Sequence, residues 1–174
     1  MYKRASEKKE NIANFIKYTQ ALAKESPYAK KFSFDFAEYT TKLLIQSMKE
    51  GDFVTGKIIL ENYLDELLPY SGLDKKSEDV ASNGLVLGIV TKDEKINQKI
   101  FNKILGDNFD IMQMDNTVLL FNLSCYYAVY GEKQKMLNTI RQAIRHGKSP
   151  EQFLNDDDFK RYREDKDFID VLKN

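Results

Sequence analysis

The sequence predicts an all-helical protein built from antiparallel helix hairpins, stacked as a short α-solenoid or bundle with a C-terminal capping segment. Apolar residues recur at spacings of three and four along most of the 174 residues, as on the buried face of a helix. Proline and glycine number only 3 and 8, so long interruptions are few. Tight turns at Gly51, Lys92 and Gly131 recur at a period of about forty residues, which is typical of helical repeats.

The composition indicates a single domain over residues 1–174 and argues against several classes of protein. Lysine plus arginine and aspartate plus glutamate balance at 27 each, which disfavours a nucleic-acid-binding protein, because phosphate binding needs surplus positive charge. Cys125 is the single cysteine, so an internal disulfide is impossible and a reducing compartment is favoured. The sequence has no secretory signal and no apolar run long enough to cross a membrane, so we expect a cytoplasmic protein.

The first part of the chain predicts an N-terminal helix within residues 1–26 and a helix hairpin over residues 33–68. Gly51 is the expected C-terminal cap of the hairpin's first helix, and Asp52 is the N-cap of its second. A break is expected at Pro69, because proline interrupts a helix. Each of these three helices has a stripe of residues that face the same way. The N-terminal helix has Ile12, Phe15, Ile16, Thr19, Leu22 and Ala23. The first helix of the hairpin has Phe36, Thr40, Leu43, Leu44 and Ser47, and the second has Phe53, Gly56, Leu60, Tyr63, Leu64 and Leu67.

A second hairpin is expected over residues 77–106. Ser77 and Asp93 are the expected N-caps of its two helices. Gly84 and Gly88 lie inside the first of these helices, where each costs about 1 kcal/mol relative to alanine. We interpret both glycines as positions that permit close helix packing.

The last third of the chain predicts a hairpin over residues 116–147 and a capping segment over residues 149–174. The two helices of the hairpin are expected to end at Gly131 and Gly147. Five large apolar residues of the tail, at helical or near-helical spacing, are available to cover the open face of the last hairpin. They are Phe153, Phe159, Tyr162, Phe168 and Leu172.

The last hairpin carries a recognisable pattern of residue types. It has large apolar residues, a small residue and a tyrosine in its first helix, a glycine and an acidic residue in its turn, and a bulky residue and an alanine in its second helix. These residues are Leu120, Leu123, Ser124, Tyr127, Gly131, Glu132, Ile140 and Ala143. On this pattern, residues 117–172 resemble the tetratricopeptide-repeat family, with Met136 in place of a small residue. The forty-residue spacing leaves a HEAT-like or Sel1-like arrangement open.

The resemblance implies a non-enzymatic module that binds another protein or a peptide. Small bacterial relatives of this family include immunity proteins that neutralise a toxin, and this short chain fits that class. Secretion chaperones and regulatory or scaffold subunits are alternatives, as is an enzyme that relies on carboxylates and lysines. We expect no cofactor, no nucleic acid and no membrane partner, and we expect a monomer or a weak homo-oligomer. The expected partner is a protein such as a toxin or a secreted effector.

The isolated reactive groups fit structural roles better than catalytic ones. Asp156, Asp157 and Asp158 lack the alternating ligands and the glycine of a calcium-binding loop, so we interpret them as caps and solvated charge. His146 lies at a predicted helix end, and Cys125 lies in mid-helix outside any nucleophile motif. We therefore predict no catalytic residue and no metal site.

In the family that the chain resembles, the first helix of each hairpin lines the concave face, which implies a mostly apolar partner-binding strip. The residues implied for this strip are Ile45, Lys49, Val86, Ile89, Phe121, Cys125 and Val129. Its occupant is either an apolar segment of the partner or the chain's own N-terminal helix. If the strip is core, the next choice is the basic helix that carries Arg141 and Arg145. The competing interpretation of that helix is pairing with the acidic tail.

Overall fold

The computed structural model describes residues 29–71, 74–106 and 109–173, together with Glu10, Asn14, Lys17, Tyr18 and Ala21. Nine α-helices and no β-strand occur in residues 29–173 as far as they are described, so the all-helical prediction is confirmed. The helices are α1 Ala29–Lys49, α2 Phe53–Asn62, α3 Leu68–Ser71, α4 Lys75–Thr91, α5 Glu94–Ile100, α6 Thr117–Tyr130, α7 Lys133–Arg145, α8 Pro150–Asn155 and α9 Lys166–Lys173.

The chain divides into two compact units, Met1–Ile104 and Leu105–Asn174. We describe each unit by itself, and the prediction of one domain over residues 1–174 stays a prediction. Of the predicted N-terminal helix, Glu10, Asn14, Lys17, Tyr18 and Ala21 are helical and exposed. Its apolar stripe, from Ile12 to Ala23, lies outside the described residues.

The N-terminal unit contains two helix hairpins, formed by α1 with α2 and by α4 with α5. The first helices of the two hairpins, α1 and α4, pack against each other. The predicted stripe residues Phe36, Leu44, Leu60 and Tyr63 are buried in the core of this unit, as expected for the inward faces of amphipathic helices. The turns are those predicted: Gly51 and Lys92 adopt left-handed backbone conformations with φ of 68° and 55°.

Aspartate side chains begin three helices of the N-terminal unit. Asp52 accepts a hydrogen bond from the backbone N–H of Thr55, and Asp93 caps α5 as predicted. The predicted N-cap Ser77 was wrong, because α4 begins at Asp74. Asp74 accepts from the backbone of the third helical residue, Ser77, whose hydroxyl in turn accepts from the Asp74 N–H. This reciprocal capping box satisfies backbone donors that a single cap would leave free.

Helical backbone continues where the sequence predicted a break. α2 passes into a π-helical turn, Tyr63–Leu67, and then into α3, so Pro69 lies within helix rather than in a loop. Proline lacks a backbone donor, and its position just after the π-helical turn coincides with a change in hydrogen-bond register. α5 ends in a similar π-helical turn, Phe101–Leu105. Gly72 and Leu73 lie outside the described residues.

Two helical glycines permit close packing, as predicted. A Cβ atom at Gly84 would lie 2.7 Å from Cδ1 of Ile100, and one at Gly88 would lie 2.1 Å from Oδ1 of Asn97. The α4 backbone therefore approaches α5 more closely than any larger residue would allow. The cost of glycine in a helix is offset here by the buried contact that its small size permits.

Ion pairs at the surface of the N-terminal unit connect its helices. The Asp65 carboxylate, in the first π-helical turn, forms ion pairs with the ammonium groups of Lys99 and Lys103, at N–O distances of 2.5 and 3.1 Å. These two hydrogen bonds outweigh the opposing effect of burial and lower the pKa of Asp65. Lys57 of α2 reaches Asp93, the N-cap of α5, at 2.5 Å. Each contact fixes the second helix of one hairpin against the second helix of the other.

The C-terminal unit is a hairpin of α6 and α7 followed by three short helical segments. Gly131 ends α6 with φ of 82°, as predicted. α8, a 3₁₀ turn at Asp157–Tyr162, and α9 confirm the expected run of short helical pieces. The 3₁₀ turn packs on α6, and α9 packs on α7. The tail residues predicted to dock are buried: Phe153, Phe159, Tyr162, Phe168 and Leu172.

A buried amide joins the loop before α6 to α7. The loop contains a 3₁₀ turn, Ile111–Gln113. The Gln142 side chain, almost fully buried, donates hydrogen bonds to the carbonyls of Met112 and Met114 at 3.0 and 2.9 Å.

Among the described residues, no helix combines the length and the apolar character needed to cross a bilayer.

Candidate protein-binding surface

The predicted strip is divided between the two units. Ile45, Val86 and Ile89 are half-buried residues of α1 and α4, and Lys49 is exposed at the end of α1. All four belong to the N-terminal unit. The other members of the strip belong to the C-terminal unit, together with Arg141 and Arg145.

Within the C-terminal unit, the strip is covered by the chain's own tail. The ring of Phe121 lies 5.1 Å from that of Phe153 and 6.2 Å from that of Phe159, measured between ring centroids. Lys148 places its ammonium group 4.3 Å from the centroid of the Phe121 ring. The C-terminal segment thus lies on this part of the strip, a neighbour that was not among the two expected occupants.

Cys125 is part of the covered strip and is therefore a core residue rather than a contact residue. Only 4% of its surface is exposed. Its neighbours in the tail are Asp156 and Asp158, and the Cys125 sulfur and one carboxylate oxygen of each aspartate lie within 4.8 Å of one another. Burial, the charges of Asp156 and Asp158, and a hydrogen bond to Asp158 raise the pKa of the thiol. Burial and the two neighbouring carboxylates therefore favour the protonated thiol over the thiolate.

The three consecutive aspartates have separate local roles. Asp156 accepts a hydrogen bond from the backbone N–H of Asp158 and so caps the 3₁₀ turn, as predicted. Asp157 is exposed and lies 3.5 Å from the Arg163 guanidinium. Asp158 is half-buried, and burial together with the nearby charge of Asp156 raises its pKa. The contact of Asp158 with Cys125 was missed in the sequence because it joins residues far apart in the chain.

Val129, the last strip residue, is exposed near the end of α6. Its neighbour Ala128 is buried, and the Ala128 carbonyl accepts a hydrogen bond from the Arg161 guanidinium of the 3₁₀ turn. The Ala128 carbonyl also accepts a hydrogen bond from the Gly131 N–H at 3.4 Å, so Arg161 adds a second donor at the end of α6. Val129 is exposed, about one helical turn beyond Cys125, the last covered member of the strip.

The basic residues around α7 divide into two groups. Lys133 pairs with Asp165 and Asp167 at 2.6 and 2.8 Å, and its hydrogen bond lowers the pKa of Asp165. The predicted pairing with the acidic tail is therefore correct for Lys133. Lys135 pairs with Glu132 at 2.5 Å.

Arg141 and Arg145 form the second group. Both are exposed, and they lie one helical turn apart on α7. Within the part of the chain that the structure describes, no carboxylate lies within ion-pair distance of either guanidinium. The predicted tail pairing does not extend to these two residues, and their charge faces solvent.

A chain of side-chain hydrogen bonds positions Arg141. Its Nη1 atom donates to Oδ1 of Asn138 at 3.1 Å, and the same oxygen accepts from Nε2 of Gln134 at 3.3 Å. The three residues follow one another at spacings of four and three, which places them on one face of α7. One of the five guanidinium donors is used, so the remaining donors are free to bind an external acceptor.

An open cleft of about 320 Å³ lies beside this chain of hydrogen bonds. α7 contributes Gln134, Leu137 and Arg141, and α9 contributes Asp167, Asp170 and Val171. Leu137 and Val171 are almost fully buried and form an apolar floor. The walls are polar, with a guanidinium on the α7 side and two carboxylates on the α9 side. Such a cleft suits one side chain of a partner, with an apolar stem and a charged end.

His146 caps the C-terminal end of α7, as predicted from its place before Gly147. It is exposed, and its Nε2 atom lies 3.0 Å from Nε2 of Gln142. Its exposure and position fit a helix-end residue.

The sequence indicates Arg141 and Arg145 as candidate contact residues but gives no sign of the cleft between α7 and α9. The spacing of Gln134, Asn138 and Arg141 was a readable signal, whereas the approach of α9 depends on tertiary packing. Comparisons of this chain with models of protein families, with curated proteins and with solved structures found no match.

Proposed function

We propose that this protein is a non-enzymatic binding module that contacts another protein through the exposed side of α7. The observation that carries the proposal is the pair of exposed guanidinium groups, Arg141 and Arg145, which no described carboxylate neutralises. Two exposed cations on α7 contribute nothing to the core of the unit. Arginine is the cation best suited to binding carboxylates at protein interfaces.

The class of binding module is proposed from the resemblance to tetratricopeptide repeats. Six of the eight residues that carry this resemblance are buried in a helix hairpin, and the other two, Gly131 and Glu132, lie at its turn, where Gly131 has a left-handed backbone. We propose an immunity protein that neutralises a bacterial toxin in the cytoplasm. A secretion chaperone and a regulatory or scaffold subunit use the same kind of surface and are the alternatives.

An enzymatic function has less support. A nucleophilic cysteine needs a stabilised thiolate, whereas burial and nearby carboxylates favour the protonated form of Cys125. The strongest carboxylate–lysine contacts join helices of one unit, as Asp65 and Lys99 do. These carboxylates and lysines connect helices, and this structural role accounts for their positions.

The proposal is tested by affinity capture from the native host with three forms of the full chain. They are the wild type, the double variant Arg141→Glu/Arg145→Glu, and a control with the same change of charge, Lys95→Glu/Lys160→Glu, at two exposed lysines outside α7. We expect one protein to be retained at near-equal amounts by the wild type and the control and to be lost from the α7 variant. Absence of any specifically retained protein would contradict the binding function.

The alternatives separate in the same experiment. A retained toxin whose activity is blocked by the wild-type chain identifies an immunity protein, and a retained secreted protein kept unfolded identifies a chaperone. Self-association that increases with concentration, measured by analytical ultracentrifugation, favours a scaffold subunit. We expect a monomer or a weak homo-oligomer in the absence of the partner.

A further inference from the structure

We propose that the half-buried side of α1 and α4 is the docking site of the chain's own N-terminal segment, residues 10–24. The segment binds there through the apolar face of an amphipathic helix and closes this part of the predicted strip to outside partners. The inference does not depend on the partner surface proposed for α7.

The first support is a side of α1 and α4 that belongs neither to the core nor to the solvent-exposed surface. Thr41, Ile45 and Met48 of α1 follow one another at spacings of four and three, and all three are half-buried. Val86 and Ile89 of α4, at a spacing of three, are half-buried as well. Apart from one hydroxyl group these side chains are apolar, so a further apolar element can gain free energy by covering them.

The second support is that the half-buried sides of the two helices adjoin each other. The ion pair between Glu38 of α1 and Lys76 of α4, at 2.6 Å, joins the helices. Ile45 lies seven residues after Glu38, and Val86 lies ten residues after Lys76. Each is therefore within about 80° of the ion-pairing residue around its own helix. The two half-buried sides form one continuous surface.

The third support is the amphipathic character of the segment. Its described residues are all helical and exposed, and their spacings of four, three, one and three place them on one helical face. They are Glu10, Asn14, Lys17, Tyr18 and Ala21. The large apolar residues of the same sequence fall on the opposite face of such a helix. They are Ile12, Phe15, Ile16 and Leu22, which lie outside the described residues.

The fourth support is the way in which the segment is connected. The chain from Met1 to Ile104 belongs to one compact unit, so the surface that the segment covers is sought within this unit. Pro27 precedes α1 by two residues and disfavours helical geometry at the residue before it, which allows the chain to turn back along α1. A helix over residues 10–24 is about 22 Å long and fits along the 21 residues of α1, which span about 32 Å.

The test measures how fast a single cysteine on this surface reacts with a bulky maleimide. The full chain carries Cys125→Ser, which removes the natural thiol. The probe on the proposed docking surface is Ile45→Cys. The reference probe is Ile58→Cys, on the exposed side of α2.

Each probe is combined with three versions of the segment. They are the unchanged segment, Phe15→Asp/Ile16→Asp on its apolar face, and the matched control Asn14→Asp/Tyr18→Asp on its exposed face. Circular dichroism and thermal melting establish that each protein is folded.

Phe15→Asp/Ile16→Asp should accelerate the reaction at Ile45→Cys about tenfold or more, because the segment loses two of the apolar side chains that hold it in place. The control Asn14→Asp/Tyr18→Asp should leave that rate unchanged. The reaction at Ile58→Cys should be the same in all three versions.

A photochemical cross-link provides a second measurement that keeps the segment apolar. With p-benzoylphenylalanine in place of Phe15, irradiation of the dilute full chain should join this position to residues 41–48 or 82–89, as mapped by mass spectrometry. If Phe15→Asp/Ile16→Asp unfolds the unit and accelerates both cysteine probes, the cross-link decides alone.

Three results would overturn the inference. They are an unchanged rate at Ile45→Cys in both segment variants, equal acceleration by both of them, and cross-links that lie only outside the two ranges. A cross-linked dimer would also overturn it, because the segment would then dock on a second copy of the chain.

Discussion

The rings of Phe121 and Phe153 lie 5.1 Å apart, so a residue expected to line a binding groove is covered by the chain's own C-terminal segment. Phe153 in turn contacts Phe159, whose ring is stacked with that of Phe168 at an interplanar angle of 19°. The aromatic cluster therefore runs from α6 through α8 and the 3₁₀ turn to α9. The tail is part of the core of this unit.

Phe121→Asp should destabilise the C-terminal unit rather than simply weaken partner binding. The substitution removes part of the buried aromatic cluster and places a carboxylate among Phe153 and Phe159, at a cost of more than about 2 kcal/mol in the free energy of unfolding. Urea denaturation followed by circular dichroism measures this cost. Val129→Asp, on the exposed side of α6, is the control and should change stability by less than about 0.5 kcal/mol. A folded Phe121→Asp protein of unchanged stability would contradict the role of Phe121 in the core.

Truncation before Gln152 should unfold the C-terminal unit or make the protein insoluble. It removes three fully buried phenylalanines, Phe153, Phe159 and Phe168, each worth about 1.5–3 kcal/mol of burial. Their sum is comparable with the whole stability of a small domain, about 5–15 kcal/mol. Thermal melting of the full-length and truncated chains measures the effect. An unchanged melting temperature would show that the tail does not contribute to the core.

Gly88→Ala should destabilise the N-terminal unit although alanine is the better helix former. A Cβ atom at this position would overlap the buried Asn97 side chain, and overpacking of this kind costs about 1–3 kcal/mol, which exceeds the propensity gain of about 1 kcal/mol. Urea denaturation of Gly88→Ala, Asn97→Ala and the double variant provides the test. The double variant should be more stable than the sum of the single effects, because Asn97→Ala removes the overlap. Strict additivity would show that the two residues are not coupled.

Glu38→Gln should flatten the dependence of stability on acidity. Glu38 of α1 pairs with Lys42 and with Lys76 of α4, both at 2.6 Å, and these contacts lower its pKa from 4.5 to about 2. A carboxyl group whose pKa is lower in the folded state stabilises the fold above its unfolded pKa, and this contribution is lost as the pH falls. The window is therefore from about pH 4.5 down to about pH 2.

The measurement for Glu38 is the thermal midpoint as a function of pH. The wild type should lose more stability than Glu38→Gln across this window, and the two curves should converge at its acidic end. Because Glu38 is at the surface, the effect is small and should shrink at high salt. Parallel curves from pH 6 to pH 2 would contradict the assignment.

Local signals in the sequence were sufficient for the hairpins. Asp52, Asp93, Gly51 and Gly131 act within a few residues of their own positions, so their capping and turn roles are readable from the chain alone. The error at Ser77 was a shift of three residues within one capping box. Element boundaries are the least certain part of any such prediction, because several polar residues near a helix start compete for the cap.

The candidate site was only partly predictable because it depends on contacts between distant parts of the chain. Arg141 and Arg145 stood out as charges on a basic helix, but the pairing of Lys133 with the tail and the approach of α9 to Arg141 depend on tertiary packing. The packing of the C-terminal tail on Phe121 and Cys125 was also missed, because it joins distant parts of the chain. A stripe of apolar residues predicts that a face is buried but does not identify the segment that buries it.

The aromatic residues that cover Phe121 come from the last segments of the chain to be synthesised, which affects folding on the ribosome. The N-terminal unit is built from residues up to Ile104, so its core can close while the ribosome is still extending the chain. α6 is apolar on nearly every side, with seven buried residues among fourteen, and the segments that cover it are made last. Until Leu172 has emerged from the ribosome, α6 exposes apolar surface to chaperones and to other nascent chains. The C-terminal unit is therefore the part of the protein at risk of aggregation.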